Sequence, residues 1–587
     1  MRASEYITNQ LFRLGVTHVF GVGGANIEDM FAAVQRRRPE MRVVLSKHEH
    51  AAGTAADAYA RISGGLGMVL ATSGGGAMNL VHSMAEARAS QVPVLAIVGE
   101  PPRSLQGRGA FQDTSGQAGT VDAAAVFGAA AKWCARAAQP EDVPRLLEEA
   151  IARALAPPRG PSVLLLAKDV QQAEIQTQHA VNSWRTPSLR PPDTETIRRL
   201  AGALQAPPVV VIAGEEVARS GAWCELASVV QALDAKVAVT PDARDVFDNG
   251  DARFLGVAGA MGHPDVAQAL AAARVVLVVG TRLPLLARQG LESVLAEKPM
   301  LSVGRGRPYV GPRDMLHHEW DVATCLRSLA SELARNARAG DPADGTLEQD
   351  DDDEVSAVRP FGSPLATSAN VAANPAASSH EAAWSSPSVL EAVARSLPDG
   401  SVVLVDAGNA GASSIHFVRA PRDGHWLVAM GMAGMGYAFG AAVGAACATG
   451  RRCTVIAGDG AFFMQGLDVH TAVEHDLPIT YVILNNGAHG MCLVRERLLL
   501  ADNAGYNAFR RSHIGAGLAA MFPRLEGRDC RTMTELEEAL ARAAQRRGPS
   551  VIGVELAEVE VPPFVAFQQV RGGAPRTVER GIPDEDD

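Results

Sequence analysis

The chain has few cysteines: seven among 587 residues. Cys134, Cys224, Cys325, Cys447, Cys453, Cys492 and Cys530 are scattered, odd in number and without a CxxC pair. That excludes a disulfide framework and a thiolate zinc site, and it suits a reducing cytosol. An excess of basic charge is also missing. Lys and Arg number 54 against 65 Asp and Glu, a formal net charge of −11 with a pI near 5.8. Without a basic footprint, nucleic acid is not an expected partner. No uncharged apolar run reaches the roughly 18 residues of a membrane span. The opening stretch, MRASEYITNQLFRLGV, carries Glu5 early and has no long apolar core, so no signal peptide is expected. These absences point to a cytoplasmic protein.

What is present fits large cores: 47% hydrophobic and 20% charged residues. The length allows three or four domains of about 150 residues. Short apolar runs alternate with helical stretches in residues 1–185, 190–335 and 386–565. That alternation predicts three parallel-sheet α/β domains. Residues 336–385 are rich in Ala, Ser, Pro, Asp and Gly and read as a flexible linker, with the acidic run Asp350 to Glu354 solvated. Residues 566–587 form a tail expected to fold over the site or stay disordered.

The stretch GDGAFFMQGLDVHTAVEHDLPITYVILNN, from Gly458 to Asn486, organises the rest. Its approach, CTVIAGDG, predicts a buried strand that turns sharply, followed by a helix over about Met464 to His475 and a second strand, ITYVIL. Asp459 and Asn486 then sit at the carboxyl ends of two parallel strands, where open sheets bind ligands. Two hard oxygen ligands plus a diphosphate suit Mg²⁺. Glycines at the turns let backbone N–H groups approach phosphate. In the first region, RVVLSKHEHAAGTAADAYAR places Glu49 at the entrance of a small-residue helix from about Ala51 to Ile62.

Both segments resemble the thiamin diphosphate (ThDP) enzymes of the acetolactate synthase, pyruvate decarboxylase and benzaldehyde lyase group. The first is similar to their cofactor motif, and the second to their HE-x-x-AA-x-x-A-x-GYAR segment. The two stand in the group's order, 410 residues apart. The resemblance implies that Asp459, Asn486 and the backbone carbonyl of Ala488 bind Mg²⁺. Gly408, Asn409, Gly458, Gly460, Ala461, His489 and Gly490 would line the diphosphate. HWLVAMGMAGMGYAFGAAVGAA resembles GLGTMGFGLPAAIGA, which makes Met435 the apolar wedge under the cofactor. The Ala433 carbonyl and the Met435 N–H would then grip the pyrimidine edge. Glu49 would hydrogen-bond the aminopyrimidine ring and favour the tautomer that deprotonates the thiazolium carbon.

GMVLATSGGGAMNLVHSMAEA resembles a TSGPGATN turn, with Gly75 in place of proline. GAFQD resembles a GAFQE loop, which would put Phe111 and Gln112 in the reaction chamber. Gly24, Met491 and Cys492 are expected there too. Arg495 stands where acetolactate synthases carry a tryptophan, and an arginine suits an anionic acceptor or a phosphate-bearing thioester, or simply the surface. GTRLPLLARQG aligns with GxRFDDR, but Pro284, Leu285 and Leu286 replace the polar residues, so FAD is expected to be absent.

The resemblance implies a carboligase joining the enamine from a decarboxylated 2-oxo acid to a carbonyl acceptor. A 2-oxo acid or acyl-CoA decarboxylase or lyase is the alternative, and a non-catalytic ThDP-binding paralogue a third reading. Because halves of such sites come from different subunits, a homodimer or homotetramer is implied.

Overall fold

The computed structural model describes residues 1–176, 192–340, 384–500, 505–556 and 559–571. It contains three six-stranded sheets in which every neighbouring pair is parallel. The first comprises β1 (His18–Gly21), β2 (Arg42–Leu45), β3 (Gly67–Ala71), β4 (Val94–Glu100), β5 (Trp133–Arg136) and β6 (Ser162–Ala167). The second comprises β7 (Val209–Ala213), β8 (Lys236–Val239), β9 (Phe254–Val257), β10 (Val275–Val279), β11 (Met300–Val303) and β12 (Leu316–His318). The third comprises β13 (Val402–Val405), β14 (His425–Val428), β15 (Cys453–Gly458), β16 (Ile479–Asn485), β17 (Glu526–Cys530) and β18 (Ser550–Glu555).

The spatial orders are β2-β1-β3-β4-β6-β5, β12-β11-β10-β7-β8-β9 and β14-β13-β15-β16-β18-β17. The first and third sheets therefore share one topology. The second reverses direction between β7 and β10, which makes that crevice its switch point. Interior strands such as β4, β6, β10 and β16 are buried at every residue. Helices cover both faces of a parallel sheet, and this is why those strands are nearly continuous apolar runs.

The first and third units meet through two helices. Glu49–Ser63 lies against Tyr437–Thr449 so closely that a Cβ on Gly440 would stand 2.3 Å from the Ala51 carbonyl. A Cβ on Gly444 would stand 1.9 Å from the Ala55 carbonyl. The absence of side chains at these two positions permits the backbone contact. Tyr437 donates to Asp57 at 2.5 Å, and Arg61 pairs with the same carboxylate at 2.6 Å.

Two expectations need correction. The helix of the organising stretch starts at Asp459, not near Met464, and it is interrupted. Asp459–Gln465 is followed by a 3₁₀ turn, Gly466–Asp468, and then by Val469–Glu474. At Gly466 the Phe462 ring lies 2.1 Å from where a Cβ would be, so the chain turns where only glycine fits. The linker also begins later than read, because the helix Val322–Gly340 covers its first five residues. Residues 341–383, including Asp350 to Glu354, lie outside the described residues. The tail opens with a helix, Val565–Arg571, in which Phe567 is buried; residues 572–587 lie outside the described residues.

A cavity of about 520 Å³ lies where the three units meet, bordered by Arg61, Glu215, Arg219, Trp223, Asp245 and Trp426. Burial pushes the Asp245 carboxyl up to about 7, against the Trp426 N–H that it accepts at 3.1 Å. Its Oδ1 has no hydrogen-bond partner among the described residues. A carboxyl whose folded value is raised disfavours folding once it ionises, so stability is lost as pH rises from about 4 through about 7. Asp245→Asn is therefore expected to raise the apparent melting temperature more at pH 8 than at pH 5, by an effect of order 1–3 kcal/mol. A gain no larger at pH 8 than at pH 5 would contradict this.

Candidate active site

The carboxyl ends of β13, β15 and β16 open onto a cavity of about 620 Å³. Its border includes Gly408, Asn409, Met435, Gly458, Asp459, Gly460, Ala461, Asn486, Ala488, His489 and Gly490, and also Met491 and Cys492. Of the third-unit residues expected around the cofactor, Ala433 alone is not on this border. It lies two residues before Met435, in the left-handed region at φ 52°. For a residue with a Cβ that conformation costs about 1–2 kcal/mol.

Asp459 is buried. Its Oδ2 accepts the Gly487 N–H at 2.7 Å and its Oδ1 the Gly460 N–H at 3.0 Å. Burial raises its pKa to about 6 although these amides pull it down. Around the same cavity, Asn409 Oδ1, Asn486 Oδ1 and His489 Nδ1 are buried without hydrogen-bond partners among the described residues. Buried polar atoms are ordinarily satisfied, so three orphans beside a carboxylate mark a place for a ligand. The Asn486 amide oxygen and the Asp459 carboxylate suit a hard divalent cation that keeps phosphate oxygens among its other ligands. Small residues keep the floor low. A Cβ on Gly490 would lie 3.1 Å from Asn409 Nδ2 and 3.2 Å from Asn486 Nδ2, and one on Gly460 would lie 2.6 Å from the His489 ring.

Asp406, at the end of β13, fixes the start of the next helix. Its carboxylate accepts the N–H groups of Gly436 at 2.8 Å and Ala438 at 2.9 Å. Burial pushes this carboxyl up to about 6. The residue after Met435 is thus pinned by a buried carboxylate.

The first unit gathers a second cluster. The Glu49 side chain, at the first position of its helix, accepts the Asn79 amide at 3.0 Å. A Cβ on Gly76 would meet Glu49 Oε1 at 2.7 Å and Thr72 Cγ2 at 2.9 Å, and one on Gly24 would meet Thr72 Cβ at 2.6 Å. Gln112, at φ 58°, packs over Gly74, where a Cβ would stand 2.8 Å from it. Phe111 beside it is 78% exposed. Glu49, Gly24, Gln112 and Phe111 therefore share the carboxyl edge of the first sheet, and none of them borders the cavity of the third. Arg495 is exposed on the helix Gly490–Leu499, about one turn beyond Met491 and Cys492, and is also off the border.

Asn79, Glu86 and Asp406 make contacts that no local sequence pattern assigns. The signal for Glu86 was a lone carboxylate in the small-residue run SMAEARAS. For Asp406 it was an acid at the end of an apolar strand.

Three parallel α/β units, one with a strand-end cavity lined by a carboxylate, two amides and small residues, define a fold that places a ligand site at the carboxyl ends of its strands. Three family profiles identify the family. "Thiamine pyrophosphate enzyme, N-terminal TPP binding domain" matches residues 1–120, the central domain of the same enzymes matches 197–307, and their C-terminal TPP binding domain matches 406–554. The chain belongs to the thiamin diphosphate-dependent enzymes and is acetolactate synthase-like. An acetolactate synthase of Arthrospira platensis is 28% identical, covering 94% of each chain. The large subunit of acetolactate synthase isozyme 1 of Escherichia coli K12 is 26% identical over 96% of this chain and 95% of its own. A solved structure from Mycobacterium smegmatis, described as a candidate thiamin diphosphate-dependent enzyme, superposes with a TM-score of 0.73. It is 22% identical and covers 94% of this chain and 99% of that one. Among the described residues, no helix is long and apolar enough to cross a membrane.

Proposed function

We propose that the protein is a ThDP- and Mg²⁺-dependent carboligase, joining the fragment left by a decarboxylated 2-oxo acid to a carbonyl acceptor. The observation that carries the reading is the cavity of the third sheet, where Asp459 meets the orphaned oxygens of Asn486 and Asn409. Bound ThDP supplies a nucleophilic carbon that adds to a carbonyl and stabilises the charge left when CO₂ departs. The chain's residues do the rest. Asp459, Asn486 and the Ala488 carbonyl hold the metal. Gly408, Asn409, Gly458, Gly460, Ala461, His489 and Gly490 face the diphosphate. Met435 supports the cofactor from below, and Ala433 belongs to the loop at the pyrimidine edge. Glu49 holds a proton at the pyrimidine ring nitrogen. Gly24, Phe111, Gln112, Met491, Cys492 and Arg495 shape the substrate side, which takes a 2-oxo acid and a carbonyl or acyl acceptor.

We divide the chain into a pyrimidine-binding domain (1–185), a central domain that runs to the end of the helix Val322–Gly340 (190–340), a linker (341–385), a diphosphate-binding domain (386–565) and a tail (566–587). The Glu49 cluster and the third-sheet cavity are distinct within one chain, which supports a homodimer or homotetramer that joins halves from two subunits. Seven free cysteines suit a cytosolic setting.

Product analysis by mass spectrometry tests the reaction, using 2-oxo acids paired with aldehyde, ketone and acyl-CoA acceptors. A 2-hydroxyketone or 2-hydroxy-3-oxo acid is expected. CO₂ and free aldehyde alone would instead support the decarboxylase or lyase reading. That second reading draws on Arg495, an exposed cation near the chamber that suits the phosphates of a thioester. No turnover of any kind would leave a ThDP-binding paralogue.

The second unit supports the expected absence of flavin. At its switch point Glu216 accepts the Arg305 N–H at 3.0 Å, and a Cβ on Gly280 would lie 2.9 Å from the Glu216 Cβ. A Cβ on Gly304 would stand 3.4 Å from the Glu216 carboxylate. The chain's own acid thus occupies the crevice where sheets of this order take a dinucleotide's phosphates. The purified protein should be colourless. A visible flavin band at near-stoichiometric occupancy would contradict this and favour a flavin-binding acetolactate synthase.

A further inference from the structure

Glu86 lies in the first unit, on the helix Gly75–Ala89, and is buried. Its carboxylate reaches out of that unit. Oε1 accepts the Gly431 N–H at 3.2 Å, and Oε2 accepts the Met432 N–H at 2.5 Å and the Ala433 N–H at 3.2 Å. Three consecutive amides converge on one side chain, an arrangement in which backbone dipoles grip an anion. Ser90 donates to Oε1 at 2.7 Å, and Arg61 stands 3.6 Å from the same oxygen.

The loop so held has no slack. A Cβ on Gly431 would lie 2.6 Å from the Ala89 Cβ, and one on Gly434 would lie 2.2 Å from the His82 ring. Within it Ala433 adopts a left-handed conformation that a residue with a Cβ rarely takes. Such a conformation persists when surrounding contacts over-determine it. Met435, two residues on, borders the third-sheet cavity. The same Gly75–Ala89 helix carries Asn79, whose amide holds Glu49.

We propose that Glu86 is a positioning residue for the pyrimidine end of the cofactor. It fixes Gly431, Met432 and Ala433, and through them Met435, while the helix that carries it also holds Glu49. One rigid helix of the first unit thereby sets both the carboxylate of its own unit and the wedge of the third. The inference rests on the ThDP reading above and concerns a part of the site that the diphosphate does not touch.

Two measurements on Glu86→Gln test it. The first is amide hydrogen exchange at residues 431–433 in cofactor-free protein, followed by mass spectrometry. Loss of the carboxylate should speed exchange there by roughly tenfold or more, because a neutral amide accepts more weakly from three donors. The second compares Mg-pyrophosphate with ThDP by calorimetry. Pyrophosphate affinity should stay within about twofold, since its ligands lie elsewhere in the third unit, while ThDP affinity falls roughly tenfold. Glu86→Asp keeps the charge but is one methylene shorter. It should show smaller changes of the same sign, and it supplies both readouts if the Gln variant does not fold. Unchanged exchange at 431–433 together with an unchanged ratio of the two affinities would overturn the proposal. If the parent protein binds neither ligand, the ThDP reading fails, and the exchange rates still decide what Glu86 does.

Discussion

Asp459→Ala is expected to weaken ThDP binding by roughly tenfold or more and to abolish its dependence on Mg²⁺. Asp459 is the one carboxylate in the donor set, so its loss leaves the metal two neutral oxygens and the diphosphate charge poorly compensated. The substitution also removes the acceptor for the Gly487 N–H at 2.7 Å and so loosens the turn that carries Asn486 and Ala488. Asp459→Asn separates the two effects. It keeps an acceptor for that amide and loses the charge, so it should retain the fold of the turn while losing most of the metal dependence. Titration calorimetry with ThDP, with and without Mg²⁺, reads both variants. Affinity equal to the parent's under both conditions would remove Asp459 from the metal site.

The second large effect is on rate rather than binding. Glu49→Gln should lower kcat by ~10²–10⁴, the usual contribution of a general acid or base. ThDP affinity should change little, because metal and diphosphate contacts supply most of it. The replacement is nearly isosteric, and an amide oxygen can still accept from Asn79, now at 3.0 Å. It cannot hold a proton shared with the pyrimidine ring. A fall in affinity as large as the fall in kcat would mean that Glu49 supports the fold of the first-unit cluster and not the proton transfer.

Much of this architecture can be read from the chain, and the parts that cannot have physical reasons. The interior strands β4, β6, β7, β10, β13, β15 and β16 stand out because burial on both faces demands unbroken apolar runs. Five of the six edge strands, β5, β9, β12, β14 and β17, do not, while β2 keeps an apolar run. Sequences such as WCAR, LHH and EGRDC are short and mixed, as strands paired on one side only tend to be. At the site, the expected residues from Gly408 to Cys492, Ala433 apart, border one cavity because their positions follow strand ends, and strand ends are fixed by those same apolar runs. The break at Gly466 was hidden, since it depends on where the Phe462 ring lies. Glu86 and Asp406 were hidden for a related reason. Each acts on backbone amides distant in sequence, Glu86 some 345 residues away, and no local pattern records a partner that only the tertiary fold supplies.

The most direct test of the account is exchange of the hydrogen at the thiazolium carbon of bound ThDP for deuterium, followed by NMR after acid quench. In the parent protein with Mg²⁺, exchange should be far faster than for ThDP free in the same buffer. In Glu49→Gln, with the cofactor still bound, it should slow by ~10²–10⁴. Exchange as fast in Glu49→Gln as in the parent would make Glu49 a helix-entry carboxylate only and would contradict the mechanism.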